Sequence, residues 1–426
     1  MSRTRRITLM HHVLLLTQVL PYPLDAGPKV RAYYMLRHLA QRHQVTLVSF
    51  VRADDRPEYV QHLASLCHAV HTVPMVRSMA RNTQAGFKGL ATGLPMIVAR
   101  DDVPEMSAQL RLLARDIAFD VVHADQLSMA WYALLAAEAA PRRPKTLLDA
   151  HNAIYKLTER IAAESHGPRR LVTQREAGAF RRYEADMVRR FDALLTVTEE
   201  DRALLLDLFD EPERSLQAAK FTTIPICVDP AQVGPITRSS GPSEASPPTI
   251  LHLGTMFWPP NVAGVLWFAR EVLPLIWQSL PQARFVVVGK NPPAEVRALA
   301  ADPRIQVTGY VPDPLPHLQA ADAFVVPLHS GGGMRVKILD GWLWGLPIVS
   351  TPIGAEGIEL VDGGNILLAG NAPDFAAATL CILTDRELNQ RLRREGRRWV
   401  EQTYAWQVVY QRLDVVYDRI CQIGSP

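Results

Sequence analysis

Short apolar runs alternate with amphipathic stretches along most of the chain. Apolar runs of this length are typical of strands that are buried on both faces of a parallel sheet. Between them, apolar residues recur every three or four positions, as they do on one side of a helix. The pattern predicts strands at residues 11–17, 44–51, 121–123, 146–149, 193–197, 223–228, 249–253, 284–288, 305–307, 323–326 and 348–350, and helices at 30–40, 128–139, 175–191, 262–276, 334–343 and 385–420.

This alternation of strands and helices favours doubly wound parallel sheets, and it occurs twice. Residues 237–248, TRSSGPSEASPP, are rich in Ser, Pro and Gly, which indicates a linker. We expect an α/β protein with a Rossmann-like domain at residues 1–236, a second one at 249–395, and a helical tail at 396–426 that packs back toward the first domain. The strand ends of the two domains are expected to face each other across a cleft.

Three glycines, Gly331, Gly332 and Gly333, connect the strand predicted at 323–326 to the helix predicted at 334–343. Such a turn presents backbone N–H groups to an anion, and the helix dipole adds positive potential. Arg335 and Lys337 lie in the first helical turn, where positive charge is unfavourable unless an anion such as a diphosphate is bound. The alternative is a tight turn before a solvated helix start, and these residues alone favour neither.

Other candidates follow other strands, at the carboxyl edge where open α/β sheets bind their ligands. Gly27 lies in the loop after the first strand, and His151 follows the strand at 146–149. Gly254 and Lys290 follow the first two strands of the second domain. Gly27 could equally be a turn residue, and a lone histidine is more often structural than catalytic.

The composition is globular, with 48% apolar and 21% charged residues. The four cysteines are far apart, without CxxC or Cys/His ligand spacing, so the sequence predicts neither a disulfide framework nor a zinc site and fits a reducing compartment. No apolar run approaches the length that spans a bilayer. The first 16 residues superficially resemble a signal peptide, but His11 and His12 interrupt the apolar run, which we interpret as the first buried strand.

The net charge of +3 is unevenly distributed, since residues 1–100 carry 13 basic and 4 acidic residues and hence +9. Anionic lipid or a phosphorylated substrate could complement this region, although a solvated surface explains any single arginine equally well. Nucleic acid is a less favoured partner because aromatic residues do not interleave with the basic ones. A further basic cluster falls on the helix predicted at 175–191 and just before it: Arg169, Arg170, Arg175, Arg181, Arg182, Arg189 and Arg190.

The chain resembles the glycosyltransferases of family 4, which have the GT-B fold. The similarity extends over nearly the whole chain, and the WPPN loop and the GGGMRVKIL run resemble a bacterial subgroup of sugar transferases linked to exopolysaccharide production. The segments that carry it are PYPLDAGPKVRAYYMLRHLAQRHQVTLVSF, LLDAHN, ALLTVTEED, HLGTMFWPPNVAGVLWFAREVLPLI, FVVVGKNPP, VTGYVPD and GGGMRVKILDGWLWGLPIVSTPIGAEGI.

The resemblance implies a retaining, metal-independent transfer from a nucleotide sugar, which the second domain binds, to an acceptor, which the first domain binds. Gly27 matches the glycine near the diphosphate, and His151 matches a histidine beside the donor sugar. Tyr310 and Val311, after Gly309, match the segment near the nucleoside base. Asp340 takes the place of the second glutamate of the E-x7-E motif, which contacts the ribose hydroxyls, and an aspartate can accept the same hydrogen bonds.

Three departures from the family pattern stand out. Gly332 occupies the place of the first motif glutamate. The usual arginine and lysine after the first strands of the second domain are not evident, so Arg335 and Lys337, with Lys290 as a weaker candidate, are expected to bind the diphosphate instead. Residues 226–228, Ile-Cys-Val, replace an asparagine-glycine pair, and Glu356 is a candidate to approach the sugar from a neighbouring loop.

The sequence shows no carboxylate pair suited to double displacement. We therefore expect front-face departure and attack, with His151, Arg335 and Lys337 as the catalytic residues and no cofactor beyond the nucleotide sugar. The expected partners are a glycan or lipid-linked acceptor and an anionic membrane surface, and the expected location is the cytoplasm, at the inner face of the membrane. Two alternatives are a non-catalytic binding or scaffold protein, which the loss of the motif glutamate would favour, and a nucleotide-sugar epimerase.

Overall fold

The computed structural model describes residues 10–75, 79–234, 236, 247–331 and 333–422. These residues form two compact units, one of residues 10–227 with 409–422 and one of residues 228–408. Most of the linker predicted at 237–248 lies outside the described residues. Among the described residues, no helix is both long enough and apolar enough to cross a membrane.

The first unit is built on a parallel sheet of seven strands. The strands are β1 His12–Thr17, β2 Gln44–Val51, β3 Ala69–Pro74, β4 Val121–Asp125, β5 Lys145–Ala150, β6 Ala193–Thr196 and β7 Phe221–Thr223. Their order in the sheet is β3-β2-β1-β4-β5-β6-β7. The central strands are buried along almost their whole length, which explains why their sequences are apolar without alternation.

Helices connect these strands, and their apolar sides pack with the sheet into one core. Pro28, at the start of α1, has the fixed φ angle that suits a first helical position. The helices are α1 Gly27–Ala40, α2 Pro57–Ala64, α3 Met79–Thr92, α4 Met96–Arg100, α5 Pro104–Asp116, α6 Ala130–Ala139, α7 Ile154–Glu164, α8 Gly167–Arg190, α9 Glu199–Leu206 and α10 Glu213–Ala218.

The second unit contains a parallel sheet of six strands. Its strands are β8 Thr249–Leu253, β9 Arg284–Val288, β10 Ile305–Gly309, β11 Ala323–Val326, β12 Ile348–Ser350 and β13 Leu367–Leu368. Their order in the sheet is β10-β9-β8-β11-β12-β13. Its helices are α11 Pro259–Trp267, α12 Leu273–Ser279, α13 Ala294–Arg297, α14 Leu315–Ala320, α15 Val336–Leu343, α16 Ala372–Thr384 and α17 Arg386–Thr403, and α18 Trp406–Val409 follows at the boundary between the units. The prediction of two doubly wound α/β units is confirmed.

Several predicted elements differ from the structure in extent, and prolines account for two of the differences. The helix predicted at 175–191 is α8, which begins eight residues earlier, at Gly167. The strand predicted at 223–228 ends at Thr223, since Pro225 cannot donate a ladder hydrogen bond. The helix predicted at 262–276 passes through a π-helical turn, Phe268–Val272, just before Pro274. The single tail helix is divided into α17, α18 and the last helix, α19 Gln411–Gln422.

The end of the chain packs into the first unit through buried polar contacts. The hydroxyl group of Tyr417 lies 3.0 Å from Nδ1 of His123, which is on β4. The Tyr410 hydroxyl donates to the carbonyl oxygen of Arg31 over 2.9 Å. Asp414 accepts a 2.7 Å hydrogen bond from Nε2 of His38, on α1. The contacts of Tyr417 and Asp414 place α19 beside β4 and α1.

Candidate active site

The glycine turn of the second unit follows β11 and requires residues without side chains. Gly331 and Gly333 have φ angles of +117° and +76°, in the left-handed region. A Cβ atom on Gly331 would lie 2.8 Å from Nη2 of Arg335 and 3.0 Å from the ring of Trp258. Gly332 lies outside the described residues. The close approach of these side chains therefore explains Gly331.

Arg335 immediately precedes α15 and is 4% exposed. Its Nη1 donates to the carbonyl oxygen of Gly333 over 2.7 Å. Its guanidinium carbon lies 5.4 Å from the centroid of the Trp258 ring, within the range of a cation–π contact. A hydrogen bond and an aromatic ring thus hold a buried positive charge against the glycine turn.

Lys337, in the first turn of α15, reaches the loop that follows β8. Its Nζ donates to Oδ1 of Asn261 over 2.8 Å, and Nδ2 of Asn261 donates to the carbonyl oxygen of Thr255 over 2.8 Å. A Cβ atom on Gly254 would lie 2.8 Å from the same Nζ. The structure therefore brings Gly254, Lys337 and Arg335 together.

The two cations occupy an environment that disfavours charge. Burial, reinforced by the positive charge of Arg335, lowers the pKa of Lys337 to about 7. Burial, reinforced by Lys337, lowers the pKa of His252, at the end of β8, to about 3. An anion bound here would relieve this electrostatic cost, and the N-terminus of α15 adds favourable potential for one.

Close packing of the loops after β8 and β9 shapes the same region. A Cβ atom on Gly289 would lie 1.7 Å from the carbonyl oxygen of Gly254. The backbone N–H of Gly254 donates to the carbonyl oxygen of Val288 over 3.0 Å, and the backbone N–H of Met256 donates to the carbonyl oxygen of Lys290 over 3.0 Å. The two loops are therefore fixed to each other by backbone contacts that leave no space for a side chain.

Gly289→Ala is expected to lower the free energy of unfolding by about 3 kcal/mol, because the added methyl group must displace backbone rather than a flexible side chain. Urea denaturation measures the change. Gly234→Ala is the matched control, since nothing lies within 4 Å of its Cβ position. A loss no larger than that of the control would contradict the close approach of the two loops.

The remaining predicted residues of this unit lie on α15 or in loops after other strands, and they take no part in the hydrogen bonds between Lys337, Asn261 and Thr255. Lys290 is exposed after β9, and Tyr310 is 71% exposed after β10. Asp340 lies on α15, where burial raises the pKa of its carboxyl group to about 7. Val311 follows Tyr310 and is half-buried, and Glu356 is half-buried in the loop after β12.

In the first unit, His151 lies just after β5 and is held by two carboxylates. Its Nε2 lies 2.8 Å from Oδ1 of Asp125 and 3.6 Å from Oδ2 of Asp149. Arg31 donates to both oxygens of Asp149, over 2.7 and 2.8 Å, and to the carbonyl oxygen of Ile224 over 2.7 Å. Gly27 is the first residue of α1, and nothing lies within 4 Å of its Cβ position.

These charges keep His151 protonated at neutral pH. Burial opposes its charge, but Asp125 and Asp149 outweigh that effect and raise the pKa of His151 to about 9. Burial likewise opposes ionisation of Asp149, but Arg31 and His151 hold its pKa well below the usual range. With Nε2 on Asp125, Nδ1 of the imidazolium is the second donor of His151.

The loop that carries His151 is anchored from two helices. Glu184, on α8, accepts 2.8 Å hydrogen bonds from the backbone N–H groups of Ile154 and Tyr155. Asp201, on α9, accepts one from the N–H of Ala153 over 3.1 Å. Sequence reasoning missed both anchors, and it also missed Asp125, although that residue ends the strand next to β5.

Asp125, Asp149 and His151 each offer a possible metal ligand atom, and these atoms lie within 4.8 Å of one another. However, Arg31 donates to both oxygens of Asp149, and Nε2 of His151 faces Asp125. A divalent cation would have to displace these contacts and would repel the guanidinium group. The group is better described as a buried charge network that orients His151.

Two family models match this chain. The model described as Glycosyltransferase Family 4 matches residues 26–232, and the model described as Glycosyl transferases group 1 matches residues 247–385. An uncharacterized 44.6 kDa protein in the cps region of Klebsiella pneumoniae is 25% identical over 135 residues. That match spans 30% of this chain and about a third, 35%, of the relative.

Solved structures resemble the whole fold at low sequence identity. HepE of Anabaena, in complex with UDP and glucose, matches with a TM-score of 0.63 and 13% identity over 96% of this chain and 100% of that chain. Sucrose-phosphate synthase of Thermosynechococcus elongatus matches with a TM-score of 0.65 and 15% identity over 97% of this chain and 100% of that chain. At these identities the likeness shows the fold alone.

Proposed function

Because the chain is a glycosyltransferase of the family 4 type with a GT-B fold, we propose that it moves a sugar from a nucleoside diphosphate sugar to an acceptor hydroxyl group with retention at the anomeric carbon. The observation that carries this proposal is the pair of partly dehydrated cations, Arg335 and Lys337, at the glycine turn. A diphosphate group would be an anion that matches the charge of this pair.

The other donor contacts follow from the positions of the predicted residues. Gly254, Gly331, Gly332 and Gly333 would admit the diphosphate close to the backbone. Asp340 would accept hydrogen bonds from the ribose hydroxyls, and Tyr310 and Val311 would contact the base. Glu356 would approach the sugar from the loop after β12, His151 would donate a hydrogen bond to the sugar, and Gly27 would contact the diphosphate. Lys290 remains a weaker candidate to bind the diphosphate. The structural similarity to HepE, whose structure holds UDP-glucose, supports a nucleoside diphosphate sugar as the donor.

We propose front-face substitution as the mechanism. The bond between the anomeric carbon and the β-phosphate oxygen breaks while the acceptor oxygen bonds to the same face of the sugar. The acceptor proton passes to a β-phosphate oxygen, and Arg335 and Lys337 stabilise the charge of the departing diphosphate. The nearest carboxylates to His151, Asp125 and Asp149, already bind His151 and Arg31, which argues against their use as a nucleophile or as metal ligands.

We further propose that the acceptor is a glycan or a lipid-linked molecule and that the transfer serves bacterial surface or exopolysaccharide synthesis. The proposed location is the cytoplasm, at the inner face of the membrane. The similarity to a protein of a cps region supports the polysaccharide role. The excess of basic residues near the start of the chain supports an anionic membrane surface as a partner. No cofactor or metal is part of the proposal.

Calorimetric titration with UDP, GDP, ADP and TDP tests the donor site, and the matching nucleotide sugars are then incubated with membrane extracts. Selective binding of one nucleotide, followed by transfer of its sugar with the anomeric configuration kept, is the expected result. Binding without transfer favours a scaffold protein. Conversion of the nucleotide sugar without an acceptor favours an epimerase, and an inverted product or a covalent glycosyl-enzyme would overturn the mechanism.

A further inference from the structure

Two packed helices of the first unit, α7 and α8, expose apolar side chains around the short segment that joins them. Two residues, Ser165 and His166, separate the helices. We call residues 157–172 the hairpin tip. Four large apolar side chains of the hairpin tip are strongly exposed: Leu157 at 52%, Ile161 at 41%, Leu171 at 71% and Val172 at 50%. Exposed apolar residues concentrated in this way indicate a contact surface.

Most of the arginines farther along α8 have partners, unlike those at the tip. Arg175 contacts Glu176, Arg181 contacts Glu159 at 3.6 Å, Arg189 contacts Glu213 at 2.6 Å, and Arg190 contacts Glu138 at 2.9 Å. These four account for much of the basic cluster that the sequence shows on this helix.

Positive charge at the hairpin tip is not neutralised in the same way. Arg160, Arg169 and Arg170 are exposed there and form no ion pair among the described side chains. The acidic residue of the tip whose side chain is described, Glu159, already contacts Lys156 at 3.1 Å and Arg181. The described surface of the tip therefore combines apolar side chains with net positive charge.

A second exposed apolar segment adjoins the same helix. Arg175 donates to the carbonyl oxygen of Gly89, on α3, and the N–H of Met96 donates to Glu176 over 2.8 Å. On either side of Gly89, Phe87 is 72% exposed and Leu90 is 68% exposed. Two further exposed apolar side chains therefore lie on a helix that contacts α8.

We propose that the hairpin tip docks on an anionic lipid membrane surface. Its leucine, isoleucine and valine side chains would enter the boundary between headgroups and acyl chains, while its arginines would bind lipid phosphates. The positive charge favours this occupant over a second copy of the chain, whose tip would carry the same charge. The hairpin tip would be the surface that meets the membrane partner of the proposed function, and its biological role rests on that function. The first helix of the hairpin, α7, begins three residues after His151.

Co-sedimentation of the full chain with vesicles tests this inference. Vesicles of phosphatidylcholine with 30% phosphatidylglycerol are expected to bind the protein at 50 mM salt at least tenfold more tightly than pure phosphatidylcholine, and 500 mM salt should weaken that binding. Arg169→Glu/Arg170→Glu should lower the partition coefficient on anionic vesicles at least tenfold. Leu171→Gln/Val172→Gln should lower it severalfold, and the loss should remain at high salt.

Matched controls exist in the same unit. Arg142 and Arg143 form another exposed arginine pair, and Leu112 is 56% exposed on α5. Arg142→Glu/Arg143→Glu and Leu112→Gln are expected to bind vesicles as the wild type does, and circular dichroism checks the fold of every variant.

Three results would overturn the inference: equal binding to neutral and anionic vesicles, equal losses in the tip and control variants, or no binding by the wild type at 50 mM salt. A concentration-dependent dimer that the tip substitutions dissociate would assign the surface to a second copy instead. None of these results depends on nucleotide binding, so failure of the donor screen and failure of this inference can be told apart.

Discussion

Replacing Arg31 with methionine is expected to lower the free energy of unfolding by about 3–5 kcal/mol. Arg31 and Asp149 are both fully buried, and the guanidinium group makes two hydrogen bonds to the carboxylate and one to the carbonyl oxygen of Ile224. Without Arg31, Asp149 must either keep an uncompensated charge in the core or take up a proton. The loss is measured by urea denaturation at pH 7.

The comparison with a surface pair makes this prediction specific. Lys29 and Asp25 form an ion pair at 3.0 Å on the same helix end, with Asp25 60% exposed, so Lys29→Met should cost less than about 1 kcal/mol. Arg31→Met/Asp149→Asn should recover part of the loss, because it removes the buried charge together with its partner. A cost for Arg31→Met that is no larger than that of Lys29→Met would contradict the buried pair.

The same network shows what the sequence could predict and what it could not. Strands β2, β8, β9, β11 and β12 have the predicted bounds, because a strand buried on both faces must be a continuous apolar run. The position of His151 just after β5 follows from the alternation of strands and helices. In contrast, Arg31 and Asp149 are 118 residues apart, and no local pattern indicates that they pair.

The second unit shows the same limit in another form. The family resemblance implied basic residues after the first strands of this domain, where the sequence has none that are evident, and Arg335 and Lys337 were predicted to take their place. The sequence did not indicate that Lys337 would donate a hydrogen bond to Asn261, 76 residues earlier in the chain, and so place a positive charge beside the loop after β8. The asparagine of the WPPN loop was the available signal, but its partner depends on how α15 packs against that loop.

The buried position of Lys337 makes donor binding depend on pH. Its pKa of about 7 means that much of the free protein carries a neutral lysine above that pH. A bound diphosphate would stabilise the charged form and raise this pKa, so binding near pH 8 should take up about one proton. Affinity for the nucleoside diphosphate should accordingly fall as pH rises above 7. Titration calorimetry at pH 8 in buffers of different ionisation enthalpy measures the proton uptake.

Arg335→Met/Lys337→Met is expected to weaken binding of the nucleoside diphosphate about a hundredfold, which corresponds to about 2.7 kcal/mol. Lys337→Met alone should abolish the proton uptake. Lys337→Arg should also abolish the uptake but should bind the nucleoside diphosphate more tightly than Lys337→Met, because arginine is charged throughout this pH range. Lys290→Met, at an exposed lysine of the neighbouring loop, should leave the uptake unchanged. Proton uptake that persists in Lys337→Met would show that a different group titrates. Unchanged affinity in the double variant would show that the glycine turn does not bind the diphosphate. The two readouts therefore separate the electrostatic role of Lys337 from the location of the diphosphate.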